Sequence, residues 1–414
     1  MRQTRVSDAE MAFASEVLEN SVYFFSMKHQ TRETGNLSAG ANGANVVPHK
    51  GERLLSLDVL RGFDMFFIMG GDALMAALAA AFGAANGAFA RQFQHVPWAG
   101  LAFEDTIFPL FLFIAGVSFP FSLAKRLANG ASKSAILLHT LRRGFALILL
   151  GLVTYGLLNL DFAHQRVFGV LQQIGFAWMV AAILRLYLGW RARTVIALAL
   201  LVGTSLLFGL VGAPDFPNAA HFTAEGNLGC WFDRTVVGVN HLFLQNKLYD
   251  PEGSAGFLTS IVTAMLGMFA GDFLRSPRSG SRKALGLLVA AAVLVVAGLL
   301  ASLYVPVVKR LWTSSFVLVA GGYSAAMLAL FYYVIDVRKI RFGTTFFRVI
   351  GMNAITIYMA QQIIDFDRAS RFFVGGVASL LPGAWEAVGL RLGYVAVCWL
   401  FLYFLYKKNV FLKV

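Results

Sequence analysis

Ten apolar runs, each roughly 20 residues long, recur along this chain between short basic connections. In a bilayer every backbone N–H and C=O must be paired within the protein, and a run of this length achieves that as an α-helix. A transmembrane β-barrel would instead show alternating segments of about ten residues. The runs predict helices over about 57–82, 101–124, 136–158, 167–188, 194–212, 255–274, 284–305, 313–335, 345–364 and 386–406. Composition agrees, since 58% of residues are hydrophobic and 14% charged, against about 25% charged in soluble domains. Mean hydropathy is +0.67. The expected fold is an all-α, multi-pass integral membrane bundle of about ten transmembrane helices, with the lipid bilayer as a partner.

The net charge of +13 invites a nucleic-acid reading. The basic residues sit between apolar runs and not on a soluble domain, so nucleic acid is not an expected partner and the charges report topology. Arg53, Lys125, Arg126, Lys133, Arg142, Arg143, Arg185, Arg191, Arg193, Arg275, Arg278, Arg282, Lys283, Arg338, Lys339, Arg341, Lys407 and Lys408 fall at alternate connections. These become cytoplasmic, and so do both termini, which agrees with an even helix count. The opposite side carries 83–100, 159–166, 213–254, 306–312 and 365–385. The longest of these, 213–254, is where a functional loop is expected. Residues 1–50 are polar and rich in Gly, Asn and Ser, and read as a disordered cytoplasmic tail without a signal peptide. Met27 offers an alternative start within it. Residues 51–414 then form one transmembrane domain. Cys230 and Cys398 lie far apart and imply neither a disulfide framework nor a thiolate metal site.

Four polar clusters interrupt the apolar runs. The first is Phe93-Gln-His95-Val-Pro-Trp98-Ala-Gly100-Leu-Ala-Phe-Glu104-Asp105 at the lip of the second helix, with Asp72 near the end of the first. Ionisable groups at such a place usually mark a site. His95 is the simple candidate for a general base, and Asp105 for the carboxylate that orients it. The bland alternative is an interfacial histidine beside Trp98, itself part of an aromatic belt. The second cluster is Arg166 with Gln172 and Gln173, where the glutamines either bind a sugar hydroxyl or join helix to helix. The third runs from Asn240 and His241 to Tyr249-Asp250-Pro251-Glu252-Gly253. Turn chemistry explains it, and so would an external lid. The fourth is Gly351-Met-Asn353 through Thr356 and Gln361, on one broad helical face. Interhelical hydrogen bonding is its alternative reading.

No phosphate-binding glycine loop, no His-Glu-x-x-His zinc motif and no Gly-x-Ser-x-Gly nucleophile elbow occurs. The seven histidines are scattered, so no metal site is expected.

Leu57-Asp58-Val-Leu-Arg61-Gly62, then His95-x-x-Trp98-x-Gly100-x4-Asp105-x-x-Phe108-Pro109, resemble the heparan-α-glucosaminide N-acetyltransferase family of transmembrane enzymes. Gly169-Val-Leu-Gln172-Gln-Ile-Gly175, Tyr249-Asp-Pro-Glu-Gly253 and Gly351-Met-Asn353 follow in the family's order, so the likeness covers about 53–370. The resemblance implies acetyl transfer from cytosolic acetyl-CoA to the amino group of glucosamine, or of a glucosamine-terminated saccharide, across the membrane. It matches His95 to the active-site histidine and Asp105 to the aspartate near the start of the next helix. Where the family's lysosomal member has asparagine this chain has Asp72, and where that member has a second histidine it has Gln361. Where that member carries a luminal domain and an extra helix before the opening motif, this sequence has a short tail, so it resembles the compact bacterial form. The expected location is therefore the bacterial inner membrane, and a homodimer is among the assemblies the resemblance allows.

On this reading His95, Asp105 and Asp72 are catalytic. Asp72, Trp98, Gln172, Asn353 and Gln361 bind the acceptor or line its cavity, and Arg142 and Arg143 hold the nucleotide of acetyl-CoA. The base either deprotonates the acceptor directly or becomes acetylated itself. Composition alone fits an amino-sugar permease equally well, and O-acylation of a periplasmic glycan is a third possibility.

Overall fold

The structure is a computed structural model and describes residues 54–412. The tail 1–50, Met27 and Arg53 lie outside these residues. Nine helices among the described residues are long and apolar enough to cross a membrane. They are α1 Leu55–Ala81, α2 Glu104–Ala128, α3 Lys133–Thr154, α4 Val170–Tyr187, α5 Trp190–Leu210, α6 Ser254–Leu274, α7 Gly280–Ala301, α8 Ser314–Val337 and, last in the chain, α12 Trp385–Lys407. Among the described residues no strand forms, and the two isolated bridges are Ala99–Val308 and Gly212–Asn227.

Over 345–364, where a single helix is expected, the chain makes two short ones, α9 Thr344–Met352 and α10 Ala354–Ile363. The break falls on Asn353, whose backbone leaves the helix at φ −124°, ψ 30°. Its side-chain oxygen accepts the Thr356 hydroxyl at 3.4 Å, and asparagine is among the residues that leave helical backbone readily. The expected connection 365–385 contains a further helix, α11 Phe366–Ala378, capped by Asp365 accepting the Arg368 N–H at 2.9 Å. It packs on α12 and leaves Phe372, Phe373 and Val377 exposed.

The helices sort into an inner and an outer set. The central stretches of α2 and α6 are 67% buried, those of α7 and α12 only 22%. Lipid is as apolar as leucine, so helices associate in a membrane through close packing and not through a hydrophobic gain. The α2–α6 crossing shows the device. A Cβ on Gly116 would run into the Ala264 carbonyl oxygen, and one on Gly267 into that of Phe113. Gly62 of α1 and Gly351 of α9 meet in the same way, each facing the other helix's backbone. Around this centre α3 packs on α4, α5 on α6, α7 on α8, and α9 and α12 on α1. Midway, α1 widens into a π turn at Phe67–Gly71, with Gly70 at φ 112°. That backbone favours glycine, and it re-aims the following turn, which begins with Asp72.

Candidate active site

The lip between α1 and α2 is held by aromatic packing and by two loops that clasp each other. Phe67 of α1 lies edge-on to Phe103 at 4.7 Å between ring centres and stacks with Phe93 at 6.1 Å. The Gly100 N–H donates to the Val307 carbonyl at 2.8 Å, beside the Ala99–Val308 bridge. Arg310 Nε donates to the Pro97 carbonyl at 3.2 Å. The 306–312 connection is thereby fixed against the segment that carries His95.

His95 Nδ1 lies 2.9 Å from Asp105 Oδ1. Asp105 is 1% exposed, and its other oxygen accepts the N–H groups of Ala102 at 3.1 Å and Val96 at 3.3 Å. A carboxylate with so many donors is fixed in place and fixes its neighbour. Donation from His95 Nδ1 to Asp105 leaves Nε2 with its lone pair free, the tautomer a base requires. Lys309 completes the cluster. Its Nζ lies 3.2 Å from His95 Nδ1 and 3.5 Å from Asp105 Oδ1. Burial pushes the Lys309 amine below its usual value, with Asp105, Glu252 and Glu104 opposing that shift.

These groups border a cavity of about 240 Å³ lined by Asp72, His95, Glu104, Glu252, Lys309 and Tyr358, with an apolar wall that includes Met65, Ile68 and Phe111. Phe111 is six residues beyond Asp105 on α2, so the cavity reaches about 10 Å into the bundle at 1.5 Å per residue. Glu252 is tied to Arg166, whose guanidinium also binds Asp250 at 2.6 Å and lies over the rings of Tyr155 and Phe243. Although burial works against it, Asp250 and Glu252 hold the Arg166 charge above its ordinary range.

The structure thus brings Asp72, His95 and Asp105 to one place. The other expected binding residues lie elsewhere. Trp98 donates to the Phe222 carbonyl at 2.7 Å and packs edge-on against Tyr249, holding the external loops. Gln172 donates to the Val167 carbonyl at 3.3 Å and turns its oxygen toward Gly151 of α3. Gln173 joins α4 to α6 through the Gly256 carbonyl. Asn353 is buried at the helix break, and Gln361 donates to the Tyr394 hydroxyl of α12 at 2.8 Å. Arg142 is exposed, whereas Arg143 lies 4.3 Å over the Trp178 ring with Arg61 and Arg126 near it. Arg126 in turn contacts His139 at 2.7 Å. Lys309 was not among the expected site residues, and Glu104 belonged to the expected lip cluster without an assigned role. A lysine in a short connection reads as a topology charge, and only the fold brings it to a histidine 214 positions away.

A fixed aspartate–histidine pair with a free imidazole nitrogen at the mouth of a membrane cavity can take a proton from a nucleophile that attacks a carbonyl. The acyltransferase domain family matches residues 54–406. This chain belongs to that family. The acyltransferase is also 27% identical over 387 residues to the heparan-alpha-glucosaminide N-acetyltransferases of Homo sapiens and Mus musculus, covering 78% of its own length. It spans 56% of each of those relatives.

Proposed function

We propose that this acyltransferase moves an acetyl group from cytosolic acetyl-CoA to the amino group of glucosamine, or of a glucosamine-terminated saccharide, on the far side of a bacterial inner membrane. The observation that carries this reading is His95, fixed through Nδ1 by Asp105 and bordering a cavity with Asp72. In this reading the free Nε2 takes a proton from the acceptor's ammonium, and the amine attacks the thioester carbonyl. The bond to nitrogen forms, the C–S bond breaks, and CoA leaves on the cytoplasmic side. Asp72 receives the ammonium, and the Lys309 cation stands by for the oxyanion.

The sidedness rests on the length of α2. Its first turn carries Asp105 and its last turn Arg126, about 30 Å apart at 1.5 Å per residue, which is the thickness of the hydrocarbon core. The basic group of Arg61, Arg126, His139 and Arg143 would then hold the donor's phosphates. The slender pantetheine arm would cross the remaining ~20 Å from there to the inner end of the cavity.

Acetyl-CoA-dependent release of CoA with glucosamine tests the proposal, with wild type and His95→Ala compared at matched folding. Turnover should fall by about 10²- to 10⁴-fold in the variant. Movement of labelled glucosamine without acetyl-CoA, unaltered by His95→Ala, would instead identify a permease. A burst of CoA without acceptor would mark an acetyl-histidine, and alkali-labile product would mark O-acylation.

A further inference from the structure

Two carboxyl groups of the cavity fall outside the base, its orienting aspartate and the ammonium site, and one of them, Glu252, is tied to Arg166. Glu104 lines the cavity, and its Oε2 is buried without a hydrogen-bond partner among the described residues. Its neighbours are Asp72 from α1, the adjacent Asp105, His95 and Lys309 from the two clasped loops, and Asp64, deeper in α1. Asp64 is 1% exposed, and neither of its oxygens has a partner among the described residues. Asp105 accepts from His95 and two backbone N–H groups, with the Lys309 Nζ 3.5 Å away, so it is the anion of the cluster. A further negative charge beside it, with one oxygen unpaired in a partly apolar cavity, is costly unless the group keeps its proton.

We propose that Glu104 is the general acid that protonates the departing CoA sulfur, while His95 takes the first proton from the acceptor. This rests on the acetyl-transfer reading above. A thiolate released inside this partly apolar cavity, beside the amine that displaces it, is poorly hydrated and needs a proton as the C–S bond breaks. The balance closes on groups at hand. The acceptor enters as an ammonium with three protons on nitrogen and leaves as an amide with one. His95 Nε2 receives the first proton and passes it to water at the open lip, where half of its side chain is exposed. Glu104 gives its proton to sulfur as the electron pair of the C–S bond leaves with it. The second proton of the attacking nitrogen then restores the Glu104 carboxyl. The products are amide, thiol and one proton. Two titratable groups in one cavity, one empty and one loaded, divide the acid and base work between them.

The test is Glu104→Gln in the full-length chain, which keeps the shape and a hydrogen-bond donor but cannot transfer a proton. With acetyl-CoA and glucosamine, kcat should fall about 100-fold and the KM for glucosamine should hold. With S-(4-nitrophenyl) thioacetate, whose thiolate needs no acid, the variant should match wild type. An equal loss with both donors, together with a raised glucosamine KM, would overturn the assignment and make Glu104 part of the ammonium site. A second readout needs no turnover. The infrared difference between wild type and Glu104→Gln at neutral pH should contain the carbonyl stretch of a protonated carboxyl, and its absence would also overturn the proposal. If that band is present while wild type releases no CoA with glucosamine, the acceptor reading fails and the loaded state of Glu104 stands.

Discussion

Asp105→Asn isolates the orienting role of the carboxylate with almost no change in volume. In the native site one oxygen receives His95 Nδ1 at 2.9 Å, and the other receives the Ala102 and Val96 N–H groups. Asparagine has one acceptor and one donor end, so only one side can be served. If its oxygen faces the backbone, its NH₂ faces His95 Nδ1 and demands a lone pair there. The imidazole proton moves to Nε2, and the base is lost. If its oxygen faces His95, two backbone donors confront an NH₂ group, which costs about 1–3 kcal/mol for each buried donor left unpaired. The first arrangement is therefore favoured, and catalysis should lose the share supplied by a general base, about 10²- to 10⁴-fold. That equals about 3–5 kcal/mol at 1.36 kcal/mol per decade. The assay is kcat for CoA release from acetyl-CoA with glucosamine, on protein whose thermal unfolding in detergent matches wild type within a few degrees. A folded variant that keeps kcat within about threefold, well under the lower bound for general-base catalysis, would refute the claim that Asp105 sets the His95 tautomer.

Other consequences concern stability. Gly267→Ala places a methyl against the Phe113 carbonyl oxygen and the Gly116 Cα at 3.1 Å, so detergent unfolding should show a loss of about 1–3 kcal/mol. Arg166→Met strands Asp250, whose side chain is 0% exposed, and should cost about 3–5 kcal/mol in the same measurement, with Asp250→Asn recovering part of the loss. Burial pushes the Asp233 carboxyl, which accepts the Ser254 N–H at 3.1 Å, up from 3.8 to about 7. A raised value means that the folded protein holds the proton more tightly than the unfolded chain. The contribution is thus full below pH 3.8 and is lost as pH rises through 7. Asp233→Asn should remove about 3 kcal/mol of that dependence between pH 5 and pH 8, read as the difference in melting temperature between those two pH values for the two proteins.

Most of the membrane scaffold was legible because hydropathy and length alone decide a span. The run over 255–274 needs no partner to be recognised, and it forms α6 at Ser254–Leu274. The run over 345–364 is as apolar as its neighbours, but hydropathy counts residues and does not register a broken hydrogen-bond ladder. Asn353 ends one helix and starts another, its backbone outside the helical region between them. The His95–Asp105 contact was within reach of the sequence because ten positions at one helix lip leave the two side chains little room to diverge. Lys309 was not, since its approach depends on how two distant loops are tied. Gln172 and Gln361 show the reverse case. Polar residues in apolar helices invite a functional reading, yet Gln361 spends its donor on a neighbouring helix and Gln172 on its own chain just before α4.

The tie between those loops has a further meaning. The Gly100 N–H to Val307 carbonyl bond and the Ala99–Val308 bridge place the histidine and lysine segments under one mechanical constraint. Neither loop can be lengthened, shortened or exchanged alone without pulling the other out of register. For anyone building chimaeras in this family the two form a single cassette. The Gly100 amide, which exchanges with solvent only when that cassette opens, is its built-in gauge.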